Sequence, residues 1–359
     1  MLSYIIRRLL LMVPTLIGMT MVVFFVMALA PGGIGSALVS AEGNMRAEDR
    51  ARIIQYYNKR YGLDQPKVVQ YARWLKRVAP IGFKDKLEGW PLHASFGFKV
   101  PDLGESFLSK EPTLRIIGQK LPATLMLNLL SIPVVYLLAI VSGIYAARYR
   151  GKTFDVGTGT LYLALWSVPT MWSGVMMIGF LANRDFLLLF PTGDLHDTLS
   201  DTMQFLPHFT SSGFHRGWAL DAGWHLILPV ICLSLSEFAF VSKLMRSSVL
   251  ENLQADYART ARAKGVSDQH VLFRHVLRNS VLPLITVGAA VLPGLLGGSV
   301  VVESIFSIQG MGKLMIEAIY QKDQELILAE TLVVGIIGLV SLLLADILYA
   351  VADPRVTYE

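Results

Sequence analysis

Cysteine and charged residues are both scarce in this chain. One cysteine, Cys232, occurs in 359 residues, and a single thiol can form neither an intramolecular disulfide nor a cysteine-rich metal site. Charged residues make up 16% of the sequence, whereas soluble domains contain about 25%. Hydrophobic residues, by contrast, reach 53%. This composition excludes an ordinary soluble enzyme and indicates an integral membrane protein.

Motifs for catalysis and nucleotide binding are absent or incomplete. Gly151–Thr153 ends like a phosphate-binding loop, but the required upstream glycine position holds Ala146, and the segment follows an apolar stretch instead of a strand. Gly310–Lys313 fails as well, because Leu314 replaces the hydroxyl residue. The seven histidines form no H-E-x-x-H pattern, and no G-x-S-x-G occurs. We therefore predict that this chain is not an enzyme and itself binds no ATP, metal or other cofactor.

Six apolar stretches are long enough to cross a bilayer, which requires about 20 residues. They are Leu9–Ala30, Ala123–Ala147, Val156–Ala182, Leu226–Ser247, Val281–Val302 and Leu326–Val351. The first stretch ends in Ala28-Leu29-Ala30 like a cleavable signal peptide, but its apolar run of about 22 residues is too long for one. The sequence therefore predicts an all-α integral membrane protein with about six transmembrane helices, the first of them uncleaved.

Basic residues are distributed unevenly between the connections. Arg7 and Arg8 precede the first helix, and Lys243–Arg278 carries seven basic residues, whereas Asn183–His225 and Glu303–Glu325 carry two each. Because Lys and Arg concentrate in cytoplasmic loops, both termini are predicted to lie in the cytoplasm. The net charge of +5 then reflects membrane topology and not nucleic-acid binding.

The chain divides into three predicted regions. Residues 1–30 form the first transmembrane helix, 31–120 an external segment, and 121–359 a core of five transmembrane helices with a cytoplasmic loop at 248–280. The external segment is long, so its basic residues do not overturn the topology. Within it, apolar residues at helical spacing predict a helix over Ala47–Tyr61, and Pro66 opens a second helix.

The cytoplasmic loop carries the most informative pattern. Helix-forming residues up to Lys264 are followed by Gly265, which supplies a left-handed helix stop. Ser267 can then cap a second helix, whose apolar stripe is Val271, Leu272, Val276 and Leu277. From the residues alone, this helix–glycine–helix unit could also be an amphipathic pair lying on the lipid surface.

The same loop resembles a known family signature. Tyr257–Gly265 together with Asn279–Pro283 is similar to the coupling loop of bacterial ABC importer permeases, although Arg259 and Thr260 stand where the broad pattern has Glu and Ala. Further matches are Tyr4–Leu10, Tyr61–Pro66, Leu121–Leu125, Phe190–Gly193, Phe306–Gly312 and Asp353–Arg355. Together they resemble the B-type membrane subunit of the dipeptide/oligopeptide/nickel branch. The long external segment resembles the members that import larger peptides and peptide-like antibiotics.

The resemblance implies a type I importer permease fold in the bacterial inner membrane, with a helical periplasmic insertion after the first helix. It also implies a second, different permease as partner, two ATPases that hold ATP and Mg, and a periplasmic substrate-binding protein. The residues that would couple to an ATPase are Asp256, Tyr257, Arg259, Thr260, Ala261, Ala263, Lys264 and Gly265. The alternative is a stand-alone secondary carrier or channel, but neither inverted halves nor a selectivity filter is evident.

Four further residues are candidates inside the spans. Glu237 is costly to bury in lipid, so it either contacts a cationic substrate group in the translocation path or is a neutral, hydrogen-bonded structural residue. Asn128 has a weaker claim to the path, with interhelical hydrogen bonding favoured. Gly294 and Gly298 are predicted to form a small-xxx-small face for helix packing, at the interface between permeases in one interpretation.

Overall fold

The structure of the chain is a computed structural model. It describes residues 2–29, 52, 55, 56, 58, 62, 64–83, 96–210, 213–291 and 297–352. Most of the predicted helix Ala47–Tyr61, the packing residue Gly294 and the motif Asp353–Arg355 lie outside these residues.

Most of the described chain is helical. The helices are α1 (Leu2–Leu29), α2 (Lys67–Val78), α3 (Thr113–Arg148), α4 (Thr153–Ser167), α5 (Thr170–Leu181), α6 (Gly217–Gln254), α7 (Asp256–Ala263), α8 (Asp268–His270), α9 (Leu277–Ser280), α10 (Leu282–Val291), α11 (Val300–Ile305), α12 (Met311–Tyr320) and α13 (Gln324–Ala352). A 3₁₀ turn at Ser200–Thr202 and a π-helical turn at Val271–Val276 also occur. Two short antiparallel hairpins, which the all-α prediction missed, pair β1 (Ile81–Phe83) with β2 (Phe96–Phe98) and β3 (His208–Thr210) with β4 (Gly213–His215).

Four of the described helices, α1, α3, α6 and α13, are long and apolar enough to cross a membrane. Helices α4 and α5 pass the same test only as a pair, because they are bent by 95° at the break between them. The prediction of one uninterrupted helix over Val156–Ala182 is therefore wrong. The cause is Pro169, whose ring disfavours the helical conformation at the preceding residue, so Val168 adopts φ −81° and ψ 120°.

The predicted span Val281–Val302 is described only in part. Helix α10 occupies its first half, and α11 begins at Val300, while residues 292–296 lie outside the described range. The described residues thus contain four candidate spans, or five if the bent pair counts as one. A sixth span and the orientation of the termini remain predictions.

The described residues form two compact units. The first comprises residues within 1–119 and 315–337. Its core joins α1, α2 and the start of α13 through Phe24, Tyr71, Trp74, Val78 and Leu328. The Tyr71 hydroxyl donates to the Ile17 carbonyl at 2.8 Å, so α2 is fixed to α1 by a polar contact as well as by packing. Helix α2 starts directly after Pro66, as predicted.

The second unit comprises residues within 120–314 and 338–359. One of its core clusters joins α3, α6, α7 and the π-helical turn, and the other joins α3, α5, α6 and α11. Helices α3 and α6 approach closely at Gly143, where an added Cβ would lie 2.7 Å from the Met245 Cβ and 2.9 Å from the Ser242 carbonyl oxygen. The predicted coupling helix α7 therefore packs against the long helices α3 and α6 of this unit.

Candidate functional site

The predicted coupling residues lie on a short helix, α7, that ends in a Schellman motif. Gly265 has φ +79°, a left-handed conformation that glycine adopts without a Cβ penalty. The Val266 amide donates to the Ala261 carbonyl at 3.2 Å, and the Gly265 amide donates to the Arg262 carbonyl at 2.9 Å. These are the two hydrogen bonds that define the motif. The predicted helix stop at Gly265 is confirmed.

One face of α7 is buried in the second unit. Ala258 is fully buried and Ala261 nearly so, and both belong to the cluster that contains Met245 and Val249 of α6 and Ala139 of α3. Ala261 is among the predicted coupling residues, whereas Ala258 is not. Small side chains allow the backbone of α7 to pack directly against α3 and α6.

The opposite face of α7 is exposed. The side chains of Asp256 and Arg259 are 99% and 68% accessible, and the contact between them is a loose 3.7 Å ion pair. Tyr257 is partly exposed, and its hydroxyl donates to the Asn252 Oδ1 at 2.6 Å. Surface ion pairs of this kind contribute little to stability. This row of polar side chains is consequently available for contact with another protein.

The segment after Gly265 connects α7 to the next predicted span. Helix α8, the π-helical turn and α9 follow one another without a break, and Val271, Leu272 and Val276 are buried as predicted. Ser267 precedes the first helical residue, but its side chain makes no capping hydrogen bond. π-Helical turns are rare and are frequently found at functional sites. The predicted second helix is therefore present, with a wide turn that the sequence did not indicate.

The two candidates for the translocation path lie in different surroundings. Glu237 is partly exposed on α6, which passes the test for a membrane-spanning helix. Asn128 is buried on α3, and its amide donates to the Thr124 carbonyl at 3.0 Å, a hydrogen bond within the helix. Its interhelical hydrogen bond stays a prediction. The exposure of Glu237 is compatible with either of its two interpretations.

Gly298 does not lie on a helical face, in contrast to the prediction. It is outside α10 and α11 and has φ +72°. An added Cβ would collide with the backbone amide of Gly312 and lie 2.5 Å from the Glu303 carboxylate. Glycine is required here because the backbone is left-handed and is closely approached by the first turn of α12. The close packing is thus between the connection before α11 and the start of α12.

Glu303, which the sequence did not single out, is the centre of this packing. Its side chain is fully buried and accepts hydrogen bonds from the Thr124 hydroxyl and the Lys313 amide, both at 2.9 Å. The same Thr124 oxygen accepts from the Met311 amide at 2.8 Å. Burial raises the pKa of the Glu303 carboxyl, and its hydrogen bonds oppose that rise. Glu303 therefore ties the Phe306–Gly312 motif to the start of the α3 span.

A second polar contact that the sequence did not reveal joins α4 to α6. The Arg246 guanidinium donates to both carboxylate oxygens of Asp155, at 2.5 Å from Nε and 2.8 Å from the terminal nitrogen. The Asp155 side chain is 6% accessible, and it also accepts from the Gly151 amide at 2.9 Å. This bidentate pair fixes the connection between α3 and α4 beside the cluster that holds α7.

Comparison with known proteins identifies the family. Residues 139–358 match the family described as "Binding-protein-dependent transport system inner membrane component". Residues 1–128 match the region described as "Binding-prot-dependent transport system membrane comp, N-term". The chain belongs to this permease family. It is therefore a multi-pass membrane subunit of a transporter and not an enzyme, and ATP hydrolysis is carried out by partner ATPases.

Several relatives are similar to this permease over their full length. The oligopeptide transport system permease protein AppB of Bacillus subtilis is 35% identical, with 99% of each chain covered. The di/tripeptide transport system permease protein DppB of Pseudomonas aeruginosa is 33% identical, with 100% of each covered. The peptidoglycan transport system permease protein YejB of Agrobacterium fabrum is 31% identical, covering 99% of this chain and 98% of the relative. The predicted resemblance to peptide importer permeases is confirmed.

Proposed function

We propose that this permease forms one half of the membrane pathway of an ATP-driven importer for peptides or peptide-like solutes. The names of its relatives support the solute class. In this proposal both termini lie in the cytoplasm, and the chain resides in a bacterial inner membrane. A periplasmic binding protein delivers the solute, and a second, different permease completes the path. Two ATPases bind ATP and Mg.

The observation that carries the coupling proposal is the construction of α7. Its polar face is exposed, while Ala258 and Ala261 on its other face are packed into the core of α3 and α6. A partner that moves α7 therefore moves the long helices with it, because a packed interior transmits displacement instead of absorbing it. In the proposed mechanism, closure of the ATPase pair pushes α7, and the α8–α9 segment carries that movement into the membrane.

Gly265 offers a matched pair of variants to test this proposal. No atom lies within 4 Å of an added Cβ at this position, so only the left-handed φ of +79° restricts substitution. Asp and Asn both tolerate that conformation and have nearly the same shape. We expect Gly265→Asp to lower ATP-dependent uptake at least about tenfold, since it places a carboxylate on the docking face, a loss of roughly 1.4 kcal/mol. Gly265→Asn should retain most of the uptake.

The assay is peptide uptake by proteoliposomes that contain the complete transporter, with binding-protein association measured separately. Both variants should still associate with the loaded binding protein, because Gly265 is predicted to lie on the opposite side of the membrane. Undiminished uptake by Gly265→Asp would exclude the coupling role. Equal loss in the Asp and Asn variants would instead indicate backbone strain as the cause.

A further inference from the structure

A basic cavity lies beside α7, between the end of α3 and the start of α8. Its volume is about 650 Å³, within the range of small-molecule sites. Arg148, Lys152 and Arg262 line it together with the apolar side chains of Leu253 and Leu272. The lining of the cavity therefore combines apolar side chains with positively charged ones.

Two of the three cations in the lining, Arg148 and Lys152, have no acidic partner within the described residues. The Arg148 guanidinium and the Lys152 ammonium lie over the Tyr149 ring, at 5.8 Å and 5.5 Å from its centre. Arg262 is engaged differently, since its Nε donates to Asp268 at 3.2 Å. With Asp268 the lining carries three positive charges and one negative charge. The excess charge favours a ligand that carries at least one negative charge.

The position of the cavity indicates which anion this is. Arg148 is the last residue of α3, a candidate span, and Lys152 directly precedes α4, the first half of the bent pair. Both cations therefore flank candidate spans, and in the predicted topology such flanking positions lie close to the lipid headgroups. Tyr149 between them is a residue type that is enriched at this interface.

The cavity wall is fixed before any ligand arrives. The Lys152 amide donates to the Tyr149 carbonyl at 2.9 Å and closes the turn between the helices. Gly151 within that turn donates to Asp155, which the bidentate contact with Arg246 holds in place. A preorganised site loses less conformational entropy on binding than a flexible loop.

We propose that this cavity binds the phosphodiester headgroup of an anionic phospholipid, with Arg148 and Lys152 on the phosphate and an acyl chain near Leu253 and Leu272. Basic pockets between transmembrane helices at a membrane surface are suited to such headgroups. The inference rests on the helix ends and the cavity, and it does not depend on a coupling role for α7.

The test is native mass spectrometry of the purified full-length chain in detergent, titrated with phosphatidylglycerol and, separately, with phosphatidylcholine. One basic residue near a headgroup contributes roughly fivefold to lipid affinity. We therefore expect the double variant Arg148→Ala/Lys152→Ala to bind phosphatidylglycerol about 25-fold more weakly. The matched control is Arg150→Ala/Arg274→Ala, which removes two exposed cations that do not line the cavity. It should retain the affinity of the unaltered chain.

Four results would overturn the proposal. Equal binding of the two lipids would show that charge does not select the ligand. An equal loss in both double variants would show that the effect is general surface charge. Complete competition by inorganic phosphate at millimolar concentration would assign the cavity to a free anion. The fourth result is that neither lipid binds and that Arg148 and Lys152 are protected from chemical modification only in the complex with the ATPases. This result would assign the cavity to an acidic protein segment.

Discussion

Replacing the buried Glu303 with alanine should destabilise the permease more than replacing an exposed acidic residue does. In Glu303→Ala, the Thr124 hydroxyl and the Lys313 amide lose their acceptor in a buried site. A buried donor without a partner costs about 1–3 kcal/mol, so two of them cost roughly 2–6 kcal/mol. At about 2 °C per kcal/mol for a chain of this size, the melting temperature should fall by roughly 4–12 °C.

The assay is thermal unfolding of the detergent-solubilised chain, followed by loss of the monodisperse peak. Glu251→Ala is the control, because Glu251 is exposed on α6 and should change the melting temperature by less than about 1 °C. Glu303→Gln retains the shape and one acceptor oxygen, so its loss should be smaller. If Glu303→Ala melts within about 1 °C of the unaltered chain, the hydrogen bonds to the Glu303 carboxylate do not stabilise the fold as proposed.

The Glu303 network also predicts a pH dependence. Burial raises the pKa of this carboxyl above its ordinary 4.5, so the folded chain retains the proton to higher pH than the unfolded chain does. The protonated Glu303 side chain therefore contributes to the free energy of unfolding. This contribution is fully present below pH 4.5 and is lost as the pH rises through the folded-state pKa. The stability advantage of the unaltered chain over Glu303→Gln should therefore narrow as the pH rises. A widening gap would contradict the assigned cause of the shift.

Three more predictions concern helix packing, a buried ion pair and the translocation path. Gly143→Ala should lower the free energy of unfolding by about 1–3 kcal/mol, because the added Cβ would collide with Met245. Its control is Gly159→Ala, where no atom lies within 4 Å of the added Cβ, and this change should be neutral or slightly stabilising in the same melting assay. Arg246→Ala should lower the free energy of unfolding by about 1.5–3 kcal/mol, because Asp155 loses its bidentate partner and keeps only the hydrogen bond from the Gly151 amide. Arg246→Lys should lower it less, and equal losses would argue against the ion pair. Glu237→Gln should reduce uptake of peptides with a cationic group by about tenfold or more if the carboxylate contacts them, and unaltered uptake of every charge class would remove Glu237 from the path.

Local features of the sequence were predictable because they depend on neighbouring residues. Gly265 ends α7 through its own backbone conformation, and the Val271–Leu277 stripe follows from helical periodicity. The break between α4 and α5 at Pro169 was not predicted from the sequence. In a membrane helix, neighbouring groups decide whether a proline is tolerated, and here the helix is broken.

Contacts between distant parts of the chain were not predictable. Thr124 and Glu303 are separated by 179 positions, and Asp155 and Arg246 by 91. No periodic pattern connects such pairs, so only the folded chain shows which polar residues meet. Gly298 illustrates the same limit, because its spacing from Gly294 indicated a helix face, whereas the left-handed backbone beside Gly312 determines its role.

Cysteine cross-linking in the intact transporter, after Cys232→Ser, tests whether α7 contacts a separate ATP-hydrolysing subunit. A cysteine at Arg259, on the exposed face of α7, should cross-link to an ATPase, with a yield that changes when ATP binds. A cysteine at Asp185, in a connection predicted to lie on the other side of the membrane, should not. If the Arg259→Cys variant still imports solute but forms no cross-link under any nucleotide condition, α7 does not contact an ATPase as proposed.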